Sequence, residues 1–337
     1  MEGSIHFHTL YSMKTNTLGR TGLKIPEMGF GTAFLGGRDK SGGYDQFDLE
    51  LGAETIVKAI EAGCRFFDTA PLYSDSRSET MIGMALRSRP DLKESLIVTT
   101  KVGQIIGSRD YSYDAILRNV EDSQKRLDLD RFEILYVHDA INVPMEEVMG
   151  KGGALEALRK LQGEGIVNHI GTAANDPDAN GPYIETGEFD VALVADAWSL
   201  INQRANQYIF PAAKKHNVGI IVATPLERGL LATGPTEDNR YLNRNFSSEI
   251  IAHVGQIQDL CKKFDLPLLA VSLQWCLNHP QVSSIVPGIS HIHEAKENMA
   301  AVSMDIPTSF WLELEPLVKD WTDLNFVVEA KDFLKKR

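Results

Sequence analysis

With 337 residues, 43% of them hydrophobic and 24% charged, the chain is long enough for one large domain or two ordinary ones and has a globular make-up. Its 46 acidic against 34 basic residues leave a formal net charge of −12, which argues against a general nucleic-acid binder and against attachment to an anionic membrane. No apolar run reaches the length of a membrane span, and Cys64, Cys261 and Cys276 lie in apolar settings that suit reduced, buried thiols in a cytoplasmic protein.

Residues 1–13 hold His6 and His8 but no apolar signal core, and read as a disordered extension ahead of a single domain over 14–337. Residues 17–25 read as a β-hairpin. Residues 28–32 read as a compact strand whose glycines admit a close backbone or ligand. A Gly-rich, charged loop over 36–44 follows, longer than an ordinary connection. From residue 51 helices and strands alternate. The stretch 51–62 has helical spacing and stops at Gly63. Residues 64–67 are apolar without polar alternation, as suits a strand covered on both faces. A helix over 78–86 precedes a strand over 95–101, a helix over 113–127 precedes a strand over 132–138, and a helix over 153–163 precedes a strand over 169–173. A short helix, a strand over 191–195, a helix over 207–216 and a strand over 218–223 come next. Two helices (248–264 and 268–277), a strand over 284–287 and helices over 292–302 and 307–320 complete the chain. Strands near 29, 65, 97, 135, 170, 193, 220 and 285, with helices between them, predict an α/β fold: a (β/α)8 TIM barrel with an N-terminal β-hairpin and extra C-terminal helices.

Titratable residues gather at the predicted strand ends: Asp68, Lys101 and His138, with Tyr73 five residues beyond Asp68. The C-terminal rim is where barrels place their chemistry. A lysine closing an apolar strand needs a partner, because a lone buried ammonium is costly, and Asp68 is a natural one. An ammonium beside a phenol favours the phenolate. Tyr73 can then give or take a proton while a hydride moves elsewhere, with His138 orienting the substrate oxygen or sharing the proton. Each of the four alone reads better as a satisfied core residue, whereas all four at one rim read as a site.

These residues fall in an order that resembles the aldo-keto reductase superfamily over nearly the whole chain: Gly29-Phe-Gly-Thr32, Phe67 to Tyr73, Thr99-Thr-Lys101, Val137-His138, Pro287-Gly288 and Glu297-Asn298. The resemblance implies that Tyr73 is the general acid/base, that Lys101 and Asp68 lower its pKa, and that Tyr73 and His138 touch the substrate carbonyl. It also implies an extended nicotinamide dinucleotide, NAD or NADP, bound without a Gly-x-Gly-x-x-Gly fingerprint, which the chain lacks. On the cofactor side it places Gly31, Thr32 and Asp68, and Asn175 matches the residue that holds the nicotinamide carboxamide. Thr224, Pro225, Leu226, Arg228 and Gly229 match the loop over the pyrophosphate, with Arg228 meeting its charge. Pro287, Gly288 and Ser290 lead into a helix start suited to a phosphate, and Glu297 and Asn298 match an adenine-contacting pair. Glu294 and Gly288 stand where basic side chains often hold a 2′-phosphate. A carboxylate there favours NAD, with His291, His293 and Lys296 the other candidates for the phosphate. The position of the nicotinamide-stacking tyrosine is Ala223. Trp198 reads equally well as an aromatic wall for cofactor or substrate and as core packing.

Val137-His-Asp-Ala140, the long Gly loop and Gly171-Thr-Ala-Ala-Asn175 most resemble the aldose-oxidising branch, which includes D-threo-aldose, L-galactose and pyridoxal 4-dehydrogenases. The expected function is therefore an NAD(P)-dependent oxidoreductase, with NAD favoured, acting on a small sugar, aldehyde or alcohol as a monomer or homodimer without a metal, nucleic acid or membrane partner. The alternatives are a broad-specificity carbonyl reductase and a regulatory β-subunit-like cofactor binder. The intact four argue against the last.

Overall fold

In the computed structural model, which describes residues 13–36, 48–236, 240–241 and 244–321, the eight apolar runs become one ring of parallel strands. They are β1 (Phe30–Gly31), β2 (Phe66–Asp68), β3 (Ile97–Val102), β4 (Phe132–His138), β5 (Val167–Ala174), β6 (Val191–Val194), β7 (Gly219–Ala223) and β8 (Val282–Val286). Each pairs with its sequence neighbours, and parallel bridges Met28–Ile285 and Gly31–Gly288 join the first strand to the last. The first strand is short because glycine dominates it. A Cβ at Gly29 would lie 2.3 Å from the Phe66 ring, so only glycine lets this segment lie against β2.

Helices α1 (Leu49–Glu61), α2 (Arg77–Ser88), α3 (Tyr113–Leu127), α4 (Ala154–Gly163), α5 (Pro177–Glu185) and α6 (Ile209–His216) cover the first six strands. Helices α7 (Ser248–Lys263) and α8 (Leu268–Leu277) follow β7, and α9 (Ile292–Val302) and α10 (Thr308–Leu314) follow β8. Capping fixes several starts. Asp48 accepts a hydrogen bond from the Leu51 N–H at 2.9 Å, which begins α1 two residues before the spacing of its apolar face suggests. The core divides in two, as in other barrels. One cluster fills the ring interior (Phe66, Ile134, Tyr136, Leu193, Ile221, Val286) and the larger one lies between strands and helices. The N-terminal hairpin, Thr15–Thr17 paired with Lys24–Pro26, closes the lower end with the fully buried Leu18 and Ile25.

Three details differ from the sequence expectation. The last helix stops at Leu314 and gives way to a 3-10 turn over Glu315–Leu317, since Pro316 has no N–H with which to continue it. A hairpin of Gln104–Ile105 and Ser108–Arg109, and a one-turn helix at Met145–Met149, rise from loops that carry no periodic pattern. All three cysteines are free and buried. The proposed extension over 1–13, except Met13, and most of the Gly-rich loop lie outside the described residues. No described helix is long and apolar enough to cross a membrane.

Candidate active site

The C-terminal ends of all eight strands open on one side of the ring, and β2, β3 and β4 bring three titratable residues there. Asp68 is the last residue of β2 and only 2% exposed. Lys101, from β3 and 1% exposed, sets its Nζ 2.7 Å from Asp68 Oδ2 and donates to the Thr69 carbonyl at 2.7 Å. The Thr99 hydroxyl donates to Asp68 Oδ1 at 2.8 Å, so both carboxylate oxygens are satisfied. A buried ion pair endures only with such complete partnering. The Lys101 ammonium then lies 4.5 Å from the centre of the Tyr73 ring.

Tyr73 reaches this point because the chain reverses sharply after it. Ser74, Asp75 and Ser76 all adopt left-handed φ angles (52°, 54° and 64°) before α2 starts, and the Tyr73 N–H bonds back to the Ala70 carbonyl. His138 ends β4, and its ring meets Tyr73 edge-on, 5.9 Å centre to centre. The four residues singled out in the sequence therefore share one small volume.

Burial raises the Tyr73 phenol above its ordinary pKa; Lys101 opposes this, while Asp68 and Asp139 push it further up. Lys101 acts in the expected direction, but Asp68 does not, and desolvation outweighs the ammonium. For Lys101 burial acts against the charge, but Asp68 and Tyr73 together hold the ammonium above its usual value. His138 is driven well below its usual value by burial, then by Lys101 and Arg109, and is a neutral imidazole. The cluster thus offers a protonated phenol, a fixed ammonium behind it and a neutral imidazole beside it, which is a set able to hand a proton to an oxygen and stabilise the phenolate left behind.

The residues expected on the cofactor side form the rest of the rim, with varied freedom. Asn175 is exposed just past β5. Thr224 follows β7, where its hydroxyl accepts the Asp196 N–H at 2.7 Å. Pro225 and Leu226 lead to Arg228, whose Nη2 is 3.2 Å from Asp196 Oδ2, and to Gly229 at φ +109°. Past β8, Pro287 is buried and Gly288 exposed. Glu297 is exposed and Asn298 buried on α9.

Several side chains are already spent within the protein. Thr32 is fully buried, its hydroxyl donating to the Asp68 carbonyl at 2.8 Å and bonded to Ser78 at 2.7 Å, and the backbone N–H and carbonyl of both Gly31 and Thr32 are hydrogen-bonded within the protein as well. Glu294 turns back on its own helix, its Oε2 accepting from the Ser290 N–H at 2.5 Å and the His291 N–H at 3.2 Å. That is a helix cap, made from the residue expected to face a ribose. Trp198 is corrected outright as a substrate wall. It is 6% exposed, stacks on Trp275 at 4.7 Å, meets Phe210 and His279, and donates from Nε1 to the Cys276 carbonyl at 3.3 Å. Its ring and its N–H are both taken up between the barrel and α8.

The sequence reading missed a second layer around His138. The Tyr111 hydroxyl donates to the His138 carbonyl at 2.5 Å, and Arg109, carried on the 104–109 hairpin, donates to the Asp139 carbonyl. Asp139 itself is buried beside the imidazole, its Oδ2 3.9 Å from His138 Nε2. Its position directly after His138 was the one available signal; Arg109 and Tyr111 had none, because nothing in the sequence announces the hairpin.

The aldo/keto reductase family model matches residues 27–319. Pyridoxal 4-dehydrogenase of Microbacterium luteolum is 28% identical over 90% of this chain and 97% of its own length. D-threo-aldose 1-dehydrogenase of a Pseudomonas species is 29% identical over 87% and 94%. Among solved structures, the holo form of aldo-keto reductase AKR11C1 from Bacillus halodurans superposes with a TM-score of 0.75 at 25% identity, covering 91% of this chain and 97% of that one. The matched span runs from the first barrel strand through the last helix and contains all four clustered residues, so the chain belongs to the aldo/keto reductase family and is an oxidoreductase enzyme.

Proposed function

We propose that this protein is an NAD-preferring dehydrogenase that interconverts a small sugar or aldehyde substrate with its oxidised or reduced partner, Tyr73 exchanging the proton. The observation that carries the reading is the buried Lys101–Asp68 pair set behind Tyr73, with His138 across from it. The rim suits a dinucleotide: Asn175 presents a carboxamide, Arg228 a cation to share with Asp196, and Gly288 a stretch of bare backbone between β8 and α9 where an added Cβ would face only the Phe34 ring, at 3.6 Å. When bound, the nicotinamide supplies or takes the hydride. His138, a neutral imidazole, orients the substrate oxygen toward the Tyr73 hydroxyl. Lys101 steadies the phenolate as the proton leaves, and Asp68 keeps the ammonium in place. The raised Tyr73 pKa keeps the phenol protonated and so able to give a proton to a carbonyl oxygen, and that supports carbonyl reduction by the same site as the second reading.

The test is absorbance at 340 nm with a panel of aldoses, pyridoxal and simple aldehydes, run in both directions. Turnover of none of them with either dinucleotide would overturn the reading and favour a cofactor-binding regulatory role.

The NAD preference rests on Glu294. Its Oε2 caps the helix and leaves Oε1 to accept a ribose hydroxyl, while its charge opposes a 2′-phosphate. A charge repulsion on the order of 1 kcal/mol at a partly exposed site changes a preference several-fold. Glu294→Gln, which keeps the cap's shape, is expected to raise kcat/KM for NADP relative to NAD several-fold, and Glu294→Arg more. An unmoved ratio in both variants would transfer the role to His291, His293 or Lys296.

A further inference from the structure

Beside the proton-transfer cluster sits a carboxyl group that it does not use. Asp139 follows β4 with φ +44°, a left-handed turn that carries its side chain inward, where it is 4% exposed. Its Oδ1 accepts the Asn175 backbone N–H at 2.9 Å, and its Oδ2 lies 3.4 Å from Asn175 Nδ2. Asn175 itself is exposed at the mouth.

An asparagine amide can face a neighbour with either end, and its surroundings decide which. A carboxylate only accepts hydrogen bonds. Beside Asp139, therefore, Asn175 must turn its NH2 inward and leave Oδ1 facing the mouth. Building on the dinucleotide reading above, we propose that Asp139 is a positioning residue: it locks the Asn175 carboxamide with its oxygen outward, so that the rim offers an acceptor to the NH2 of a nicotinamide carboxamide. A purely structural tie between β4 and β5 needs no charge here, because the backbone N–H of Asn175 would be met equally well by a neutral acceptor. What the charge adds is the restriction on the amide.

That restriction has a pH limit. Burial pushes the Asp139 carboxyl up to about 6, although the Asn175 N–H, Arg109 and Lys101 all pull it down and Asp196 pushes it further up. The groups facing it are His138 on its own strand end, Tyr73 beyond β2, Arg109 and Tyr111 at and just past the hairpin, Lys101 from β3 and Asp196 after β6; His138 is held neutral, the two phenols are raised, and the Lys101 ammonium is held above its usual value. Above about 6 the carboxylate enforces one amide orientation. Below it the acid form can also donate, and both orientations become available.

The experiment measures binding to the full-length protein of two ligands: NADH, whose nicotinamide ring is uncharged, and ADP-ribose, which shares the rest of the dinucleotide but lacks nicotinamide. Asp139→Asn keeps the shape and an acceptor for the Asn175 N–H but turns a donor toward its side chain. It should weaken NADH about tenfold, the effect of one reversed hydrogen bond, and change ADP-ribose less than twofold. In the wild type the NADH to ADP-ribose affinity ratio should fall between pH 8 and pH 5.5, and in Asp139→Asn it should stay flat. Equal weakening of both ligands, or a wild-type ratio independent of pH, would overturn the positioning role while leaving the dinucleotide site standing. Failure of the wild type to bind NADH at all would overturn the cofactor reading and this inference with it. The wild-type pH arm needs no variant to fold.

Discussion

Tyr73→Phe is expected to remove at least 99% of turnover while leaving dinucleotide affinity within twofold of the wild type, in keeping with the usual 10²- to 10⁴-fold worth of a positioned proton donor. The substitution deletes one oxygen. The ring keeps its edge-on contact with His138 and its place 4.5 Å from the Lys101 ammonium, and the ammonium gives up the phenol oxygen but keeps its 2.7 Å bonds to Asp68 and the Thr69 carbonyl. Separate measurement of kcat and KM decides the matter: a group acting only in proton transfer lowers kcat and kcat/KM together. Retention of more than about a tenth of kcat/KM, a loss under roughly 1.4 kcal/mol, would strip Tyr73 of the central role. Because burial raises its pKa, Tyr73 should give no acidic limb to the wild-type rate profile in the reducing direction; its own loss of activity should come only in alkali, as the phenol ionises.

Lys101→Met should do harm of two kinds. Removing one member of a buried pair leaves the Asp68 carboxylate desolvated without its cation, which destabilises by about 3–5 kcal/mol. This should appear as a clear fall in the unfolding midpoint. The Lys101 ammonium is held above its usual pKa, so its stabilising pairing is fully present at any pH below about 10.4 and is lost only as pH rises beyond the folded value. The wild type should therefore show no step in stability from this lysine between pH 6 and 9. Adding Asp68→Asn should recover most of the stability, since the orphaned charge is gone, but none of the activity. Recovery of both would make the pair a structural feature only. If neither is recovered, the loss comes from packing around the lysine stem.

The barrel was legible in the sequence because each strand is a short apolar run and each helix has a stripe of its own, and both periodicities are local. The spacing from Asp68 to Tyr73 and the placing of Lys101 and His138 at strand ends were equally local, and a parallel ring gathers strand ends in one place whatever its details. Other features depend on what lies across the ring or over it, which no window of sequence contains. Trp198 carries the same residue type whether it faces a ligand or Trp275, and only the packing of α8 decided for the core. The direction of the Tyr73 shift needed the degree of burial, because the ammonium was visible in the sequence and the desolvation was not. Glu294 read as a free carboxylate until the start of α9 supplied two N–H groups for it. Asp139 and Asn175, just past the ends of the neighbouring strands β4 and β5 yet far apart along the chain, became a pair only when those strands aligned, with His138 opposite Ala173 in the register.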